Sequence, residues 1–488
     1  MCFLKIQNKV MLITYADSLG KNLIELNEIL TENFKDAIGG VHLLPFYPSS
    51  GDRGFAPIDY MKVDPSFGTW EDVKKISDKY YFMMDFMVNH ISRQSPYLQD
   101  FLAKKEDSEY KDLFIRYKDF WPNGMPTQKD IDLIYKRKPR APYVEVTFAD
   151  GSQEKLWCTF DEQQIDLDVT TAKTRQFIKE QLTFLAEQGA SIIRLDAFAY
   201  ANKKIDTNCF FVEPDIWNLL SDCQEAIAPF ESTVLPEIHE HYTIQQKIAD
   251  QDYYVYDFAL PMLLLHALYS GRVERLVHWL TICPRKQFTT LDTHDGIGVV
   301  DVKDLLTEKE IEETREALYK QGANVKKIYS TEAYNNLDIY QINCTYYSAL
   351  GDNDAAYLLA RAIQCFVPGI PQVYYVGLLA GKNDIDLLEK TKEGRNINRH
   401  YYDKAEVSEE MKRPIVKDIF ELLSFRNRST AFDGEFSLKQ LDDHQLMITW
   451  KQNETIACLK ANLQTHQFEI YEREANEVTY QFVSSEVK

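Results

Sequence analysis

The sequence predicts a (β/α)8 TIM barrel with inserted lobes after strands 3 and 7 and a small C-terminal antiparallel β domain. Three observations predict it. About eight short apolar segments alternate with helical stretches, the order expected of parallel strands joined by crossovers. That alternation lapses twice, after His90 and after Asp295. Beyond Ala431 the texture changes to short alternating runs that suit an antiparallel sheet. The 488 residues are too many for one minimal domain and ample for a large core. The expected division is a barrel from 1–90, 171–296 and 352–430, a lobe at 91–170, a second at 297–351, and a β domain at 431–488.

Taken in order, the run from Val10 to Tyr15 reads as the first strand, and that from Leu23 to Phe34 has helical spacing. The second strand, Gly39 to Phe46, runs into the turn-rich loop Gly51-Asp52-Arg53-Gly54-Phe55. A helix from Trp70 to Tyr80 precedes the third strand, Tyr81 to Val88, which ends at Asn89-His90. The next eighty residues carry Pro122, Pro126, Pro139 and Pro142, which forbid long elements. Short strands are expected there at Tyr143 to Phe148 and Lys155 to Phe160. A helix from Thr174 to Gln188 then leads into the fourth strand, Ser191-Ile192-Ile193-Arg194-Leu195-Asp196. Strands at Val234 to His239, Tyr254 to Leu260, Phe288 to His294 and Ile370 to Val376 complete the eight. A helix is expected from Thr307 to Gln321 in the second lobe and another from Ala355 to Cys365.

Composition narrows the function classes. Lys plus Arg number 55 against 75 Asp plus Glu, a net charge of −20. So acidic a chain is a poor partner for nucleic acid or an anionic membrane, and an anionic ligand would need a local basic cluster. The eight cysteines form no Cys-x-x-Cys pair, which argues against a zinc or redox motif and suits a reducing cytosol. No signal peptide or transmembrane run is apparent, so a soluble cytoplasmic protein is expected.

In a parallel barrel the chemistry gathers at the carboxyl ends of the strands. Acids, histidines and an arginine recur there: Asp52, His90, Arg194, Asp196, Glu237, His239, His294 and Asp295. One such residue is ordinarily a satisfied polar group; this many at matching positions point to a site. Arg194 and Asp196 lie two apart, so they share a strand face, where unpaired charge is costly. Two carboxylates on adjacent strands suit retaining glycosidase chemistry, with Asp196 as nucleophile and Glu237 as acid/base. Asp295 would stabilise positive charge developing on the sugar ring. Asp257 reads as a structural acid. Asp166 and Asp168 lack the glycine and terminal glutamate of an EF-hand and read as a polar strand edge.

These motifs carry a resemblance. Asp85-Phe86-Met87-Val88-Asn89-His90, Ile193-Arg194-Leu195-Asp196-Ala197, Leu235-Pro236-Glu237-Ile238-His239 and Thr293-His294-Asp295-Gly296 resemble, in order, the four signature regions of the α-amylase-type glycoside hydrolases. Gly51 to Phe55, Gly369 to Tyr375 and Gly394-Arg395-Asn396-Ile397-Asn398-Arg399-His400 narrow this to the sucrose phosphorylase group. The resemblance implies reversible conversion of sucrose and inorganic phosphate to α-D-glucose 1-phosphate and fructose. It implies a glucose subsite of Asp52, His90, Arg194, His294, Asp295 and Arg395, with water excluded by Phe55, Phe160, Gln164 and Tyr200. For phosphate it implies Arg137 with Tyr135, Lys138 being the rival in the basic run from Tyr135 to Arg140. For fructose it implies Leu337, Asp338, Gln341 and His239. Asn89 stands where many amylases bind calcium, yet the group implies no metal and no cofactor. The chain is expected to be a monomer or homodimer. The rival readings are a sucrose 6′-phosphate phosphorylase, a sucrose or glucan hydrolase or transglucosidase, and a catalytically dead sugar-binding barrel. The acid Asp338 argues by charge repulsion against the first.

Overall fold

In a computed structural model, which describes residues 4–135, 137, 140–323, 341–475 and 477–484, the eight expected strands are present. They are Met11–Thr14, Gly40–Leu43, Tyr81–Met87, Ile192–Asp196, Thr233–Pro236, Val255–Asp257, Gln287–Thr289 and Ile370–Tyr374. They form one sheet whose order, from one end, is sixth, seventh, eighth, first, second, third, fourth, fifth. This is the sequential order of a barrel. Apart from Asp196 at the end of the fourth strand and Thr233 at the start of the fifth, every strand residue is buried. That explains why these strands read as continuous apolar runs rather than as alternating ones.

The chain divides into two compact units, one centred on Leu43–Ile238, the other on Gln7–His42 with most of the chain from His239 onwards. In the first, the third and fourth strands run parallel with Asp85 opposite Arg194 and Met87 opposite Asp196. The fourth and fifth pair with Leu195 opposite Pro236, so Glu237 follows at the level of Asp196. Helix Trp70–Ser77 begins at a capping box made by Thr69 and Asp72. Within 91–170 lie a helix Pro96–Lys104 and a hairpin pairing Tyr143–Thr147 with Gln153–Trp157. Trp121, Trp157, Tyr117 and Ile115 give this region an aromatic core of its own.

In the second unit the first strand pairs with the eighth, and the seventh with both the sixth and the eighth, all parallel. Past the seventh strand, Ile297–Gly298 pairs antiparallel with Gln341–Ile342, and helix Glu308–Lys320 lies between them in sequence. At the C-terminus Glu435–Gln440, Gln445–Gln452, Thr455–Asn462, Phe468–Glu474 and Glu477–Val483 make a five-stranded antiparallel meander.

Two expectations need correction. The sixth and seventh strands are shorter than their apolar runs. Leu260 already opens a helix with Pro261 in its first turn, and Thr290 to His294 leave the ladder. The segment around Asp166 is a strand in a two-stranded ladder, as expected of an edge, but a buried one: Gln164–Asp166 is buried throughout and pairs antiparallel with His90–Ser92. Its acid is tolerated there because it meets a buried cation, described below.

Candidate active site

In the first unit Arg194 organises the carboxylates. Its Nη1 donates to Asp85 Oδ1 at 2.5 Å and to Asp196 Oδ1 at 2.9 Å. Its Nη2 lies 3.8 Å from Glu237 Oε1. The Arg194 side chain is 4% exposed and that of Asp85 is fully buried, whereas those of Asp196 and Glu237 are 14% and 12% exposed. Asp85 neutralises the arginine from within, and the two outer acids remain reachable. One guanidinium therefore lies within ion-pair distance of both outer acids.

The turn after Asp196 brings a further contact to Glu237. Ala197 has φ 52°, ψ 30°, a left-handed conformation that disfavours a side chain by about 1 kcal/mol. It aims the Ala197 N–H at Glu237 Oε2, 3.1 Å away. The loop at Asp52 is strained in the same sense, with Asp52, Arg53 and Gly54 at φ 45°, 48° and 107°. At Gly54 a β-carbon would lie 2.5 Å from the Pro45 carbonyl oxygen, so only glycine fits.

Phe55 is fixed through its backbone. Its carbonyl accepts from His90 Nε2 and from Gln164 Nε2, both at 2.9 Å, and its ring lies 5.9 Å from the Arg194 guanidinium. Burial lowers the pKa of His90, Asp166 opposes that most strongly, and Asp52 is close enough to oppose it as well. Phe160 packs edge-on to His90 and to Tyr200, at 5.6 and 5.0 Å. Tyr200 stacks with Tyr135 at 6.2 Å. The Arg137 guanidinium lies 5.1 Å from the Tyr135 ring and 5.3 Å from the Tyr200 ring, and its Nε donates to the Tyr200 hydroxyl. Within the basic run Arg140 is engaged structurally, donating to the carbonyls of Ala141, Tyr143 and Phe160. Lys138 lies outside the described residues.

The residues around Asn89 do not suit a calcium ion. Lys203, 7% exposed, places Nζ 2.5 Å from Asn89 Oδ1 and 2.6 Å from Asp166 Oδ2. An ammonium already neutralises the oxygens that a metal would need.

In the second unit Asp295 lies 3.2 Å from Arg395 Nη2 and 3.6 Å from His294 Nε2. Burial alone would raise its pKa, but Arg395, His294, Arg399 and His239 outweigh that and hold it well below the usual carboxylate range. Asn398 Nδ2 donates to the Asp295 and Thr293 carbonyls, and Arg399 Nε to that of His294. Tyr15 packs edge-on to His294 at 6.1 Å. His239 stacks on Phe258 with ring centroids 3.8 Å apart. Its Nε2 is 3.2 Å from Gln341 Nε2 and its Nδ1 is 3.5 Å from Asp301 Oδ2. Leu337 and Asp338 lie outside the described residues. Asp257 is buried and accepts from Trp279 Nε1 and from the Leu260 N–H; burial pushes its pKa up to about 6.

Sequence reading missed Lys203, Arg399, Asp301 and Phe258. Only for Arg399 did the sequence hold a signal, its place in the motif with Arg395.

Residues 35–259 match the model of the α-amylase catalytic domain. A sucrose phosphorylase of Streptococcus mutans is 62% identical over 472 residues, 96% of this chain and 98% of the relative. The chain belongs to the sucrose phosphorylase family. A sucrose 6(F)-phosphate phosphorylase of Thermoanaerobacterium thermosaccharolyticum, from the same wider family, is 45% identical over 94% of this chain and 96% of its own. The crystal structure of sucrose 6F-phosphate phosphorylase from Thermoanaerobacter thermosaccharolyticum superposes with a TM-score of 0.94 at 43% identity, covering 99% of this chain and 98% of that one.

Proposed function

We propose that this chain catalyses the reversible, retaining phosphorolysis of sucrose. The observation that carries the reading is the pair Asp196 and Glu237, set on one arginine at adjoining strand ends. Asp196 attacks the anomeric carbon, and the glycosidic bond breaks as Glu237 gives its proton to the departing fructose oxygen. Glu237 then takes a proton from inorganic phosphate, whose oxygen displaces Asp196 and yields α-D-glucose 1-phosphate. Two inversions give net retention. Asp295, kept ionised by its cationic neighbours, supports charge developing on the ring. Arg395, Arg194, His90, Asp52 and His294 serve the glucose; His239 and Gln341 serve the fructose.

A reading as a sucrose 6′-phosphate phosphorylase is favoured by the relative and the solved structure of that name. Plain sucrose is preferred because the more similar relative, at 62% against 45% identity, is named for it. Product analysis decides. Incubation with sucrose and phosphate should give equal amounts of glucose 1-phosphate and fructose, and little glucose when phosphate is withheld. Rapid glucose release without phosphate would indicate a hydrolase, and strong preference for the 6′-phosphate would overturn the substrate assignment.

Arg137, laid against Tyr135 and Tyr200, is the cation assigned to phosphate. A charge-assisted hydrogen bond contributes about 1.5–3 kcal/mol, so Arg137→Ala should raise the KM for phosphate roughly 10- to 150-fold. Its KM for sucrose should move far less, and steady-state kinetics with each substrate varied in turn measures both. A reducing cytoplasm is the proposed compartment, supported by seven buried, unpaired cysteines among the described residues.

A further inference from the structure

Asp301 sits in the short turn Val300–Val302, behind His239, and is 2% exposed. Its Oδ2 faces His239 Nδ1 at 3.5 Å, and its Oδ1 has no hydrogen-bond partner among the described residues. The carboxylate lies directly over Gly298, where a β-carbon would be 2.1 Å from Oδ2. Glycine at that position is what lets the acid reach the imidazole. On the far side of the ring the Gln341 amide fixes the polarity. Its Oε1 is turned toward the Gly296 N–H, 3.5 Å away, so its NH2 faces His239 Nε2 at 3.2 Å. A donor facing Nε2 makes that atom the lone-pair nitrogen and places the ring proton on Nδ1, toward Asp301. Phe258, stacked at 3.8 Å and 19°, fixes the ring plane.

We propose that Asp301 is a positioning residue for the leaving-group end of the site. It holds His239 in the Nδ1–H tautomer and in the plane of Phe258, with Nε2 accepting from the Gln341 amide, so that both side chains keep their places at the fructose end. Other charged groups bear on this acid. Burial raises its pKa, His239 opposes that, and Glu240 adds to it; Asp257 is close enough to feel the charge of Asp301. The inference rests on the proposed sucrose chemistry.

The test compares Asp301→Ala and Asp301→Asn with the parent chain in two reactions. One is sucrose synthesis from glucose 1-phosphate and fructose. The other is turnover of α-D-glucosyl fluoride, a donor that carries no ketose. A misdirected contact costs up to about 10²-fold, so Asp301→Ala should lower kcat/KM for fructose by roughly 10- to 100-fold and leave glucosyl fluoride turnover within about twofold. Asp301→Asn, whose Oδ1 still accepts from Nδ1–H, should recover most of the loss. Parallel losses in both reactions, or no loss in either, overturn the proposal. Should the alanine variant not fold by circular dichroism, Phe258→Leu must reproduce the ketose-selective defect, and an unchanged KM for fructose there overturns it. If the parent chain itself makes no sucrose from these substrates, the sucrose reading fails and takes this inference with it. A working parent with unselective variants rejects the role of Asp301 alone.

Discussion

Asp196→Asn should reduce phosphorolysis of sucrose by about 10⁴-fold or more in kcat/KM, because covalent catalysis then has no nucleophile. An amide is nearly isosteric but cannot form the glucosyl ester, and Glu237 alone does not replace it. The fold should tolerate the change. Asp196 is one of the two partly exposed acids of its cluster, and Arg194 keeps its fully buried partner Asp85 at 2.5 Å. Unfolding by denaturant should therefore shift by no more than about 1 kcal/mol, in the range of an exposed pair. The measurement is glucose 1-phosphate release, with denaturant unfolding as control. Residual activity within tenfold of the parent would show that another group attacks the sugar.

Arg361→Met should lower the stability of the fold by about 3–5 kcal/mol, the cost of stranding one partner of a buried ion pair. Arg361 and Asp292 side chains are 0% and 1% exposed and meet at 2.6 Å. The same guanidinium binds the Tyr357 hydroxyl and Gln364 Oε1, so its loss also leaves Gln364 Oε1 without that donor, while the Tyr357 hydroxyl keeps its bond to the Gly377 carbonyl. Gly377 packs so closely that a β-carbon there would lie 2.1 Å from Arg361 Nη2. Asp292, whose carboxyl burial already pushes up, would protonate. Because Asp292 lies three residues before Asp295, activity should fall with stability. Adding Asp292→Leu to Arg361→Met should restore much of the lost stability, as apolar replacement of a buried pair often does. Chemical denaturation of the single and double variants tests this, and strictly additive losses would count against it.

How much was legible follows from what each feature depends on. Strands buried on both faces leave long apolar runs, as Tyr81–Met87 and Ile192–Asp196 do. Barrel geometry places whatever follows such a run at one end, which made Asp196, Glu237 and Asp295 readable as candidates. Where a run ends was less readable. Val255–Asp257 and the helix from Leu260 form one apolar stretch, and hydrophobicity does not mark the change of geometry between them. Partner choice was invisible. Nothing near Asp166 in sequence announces that Lys203, thirty-seven positions on, neutralises it. Likewise Asp301 lies 62 residues from the histidine that it orients.

Lys203 has a practical corollary. A bound calcium would be at risk in an enzyme whose co-substrate is phosphate, because phosphate sequesters calcium as a sparingly soluble salt. A cation tethered by its own backbone cannot be leached away. Washing with a chelator such as EDTA, or working at high phosphate, should therefore leave the melting temperature unchanged, whereas removing the amine by Lys203→Met would strand the acid that it serves.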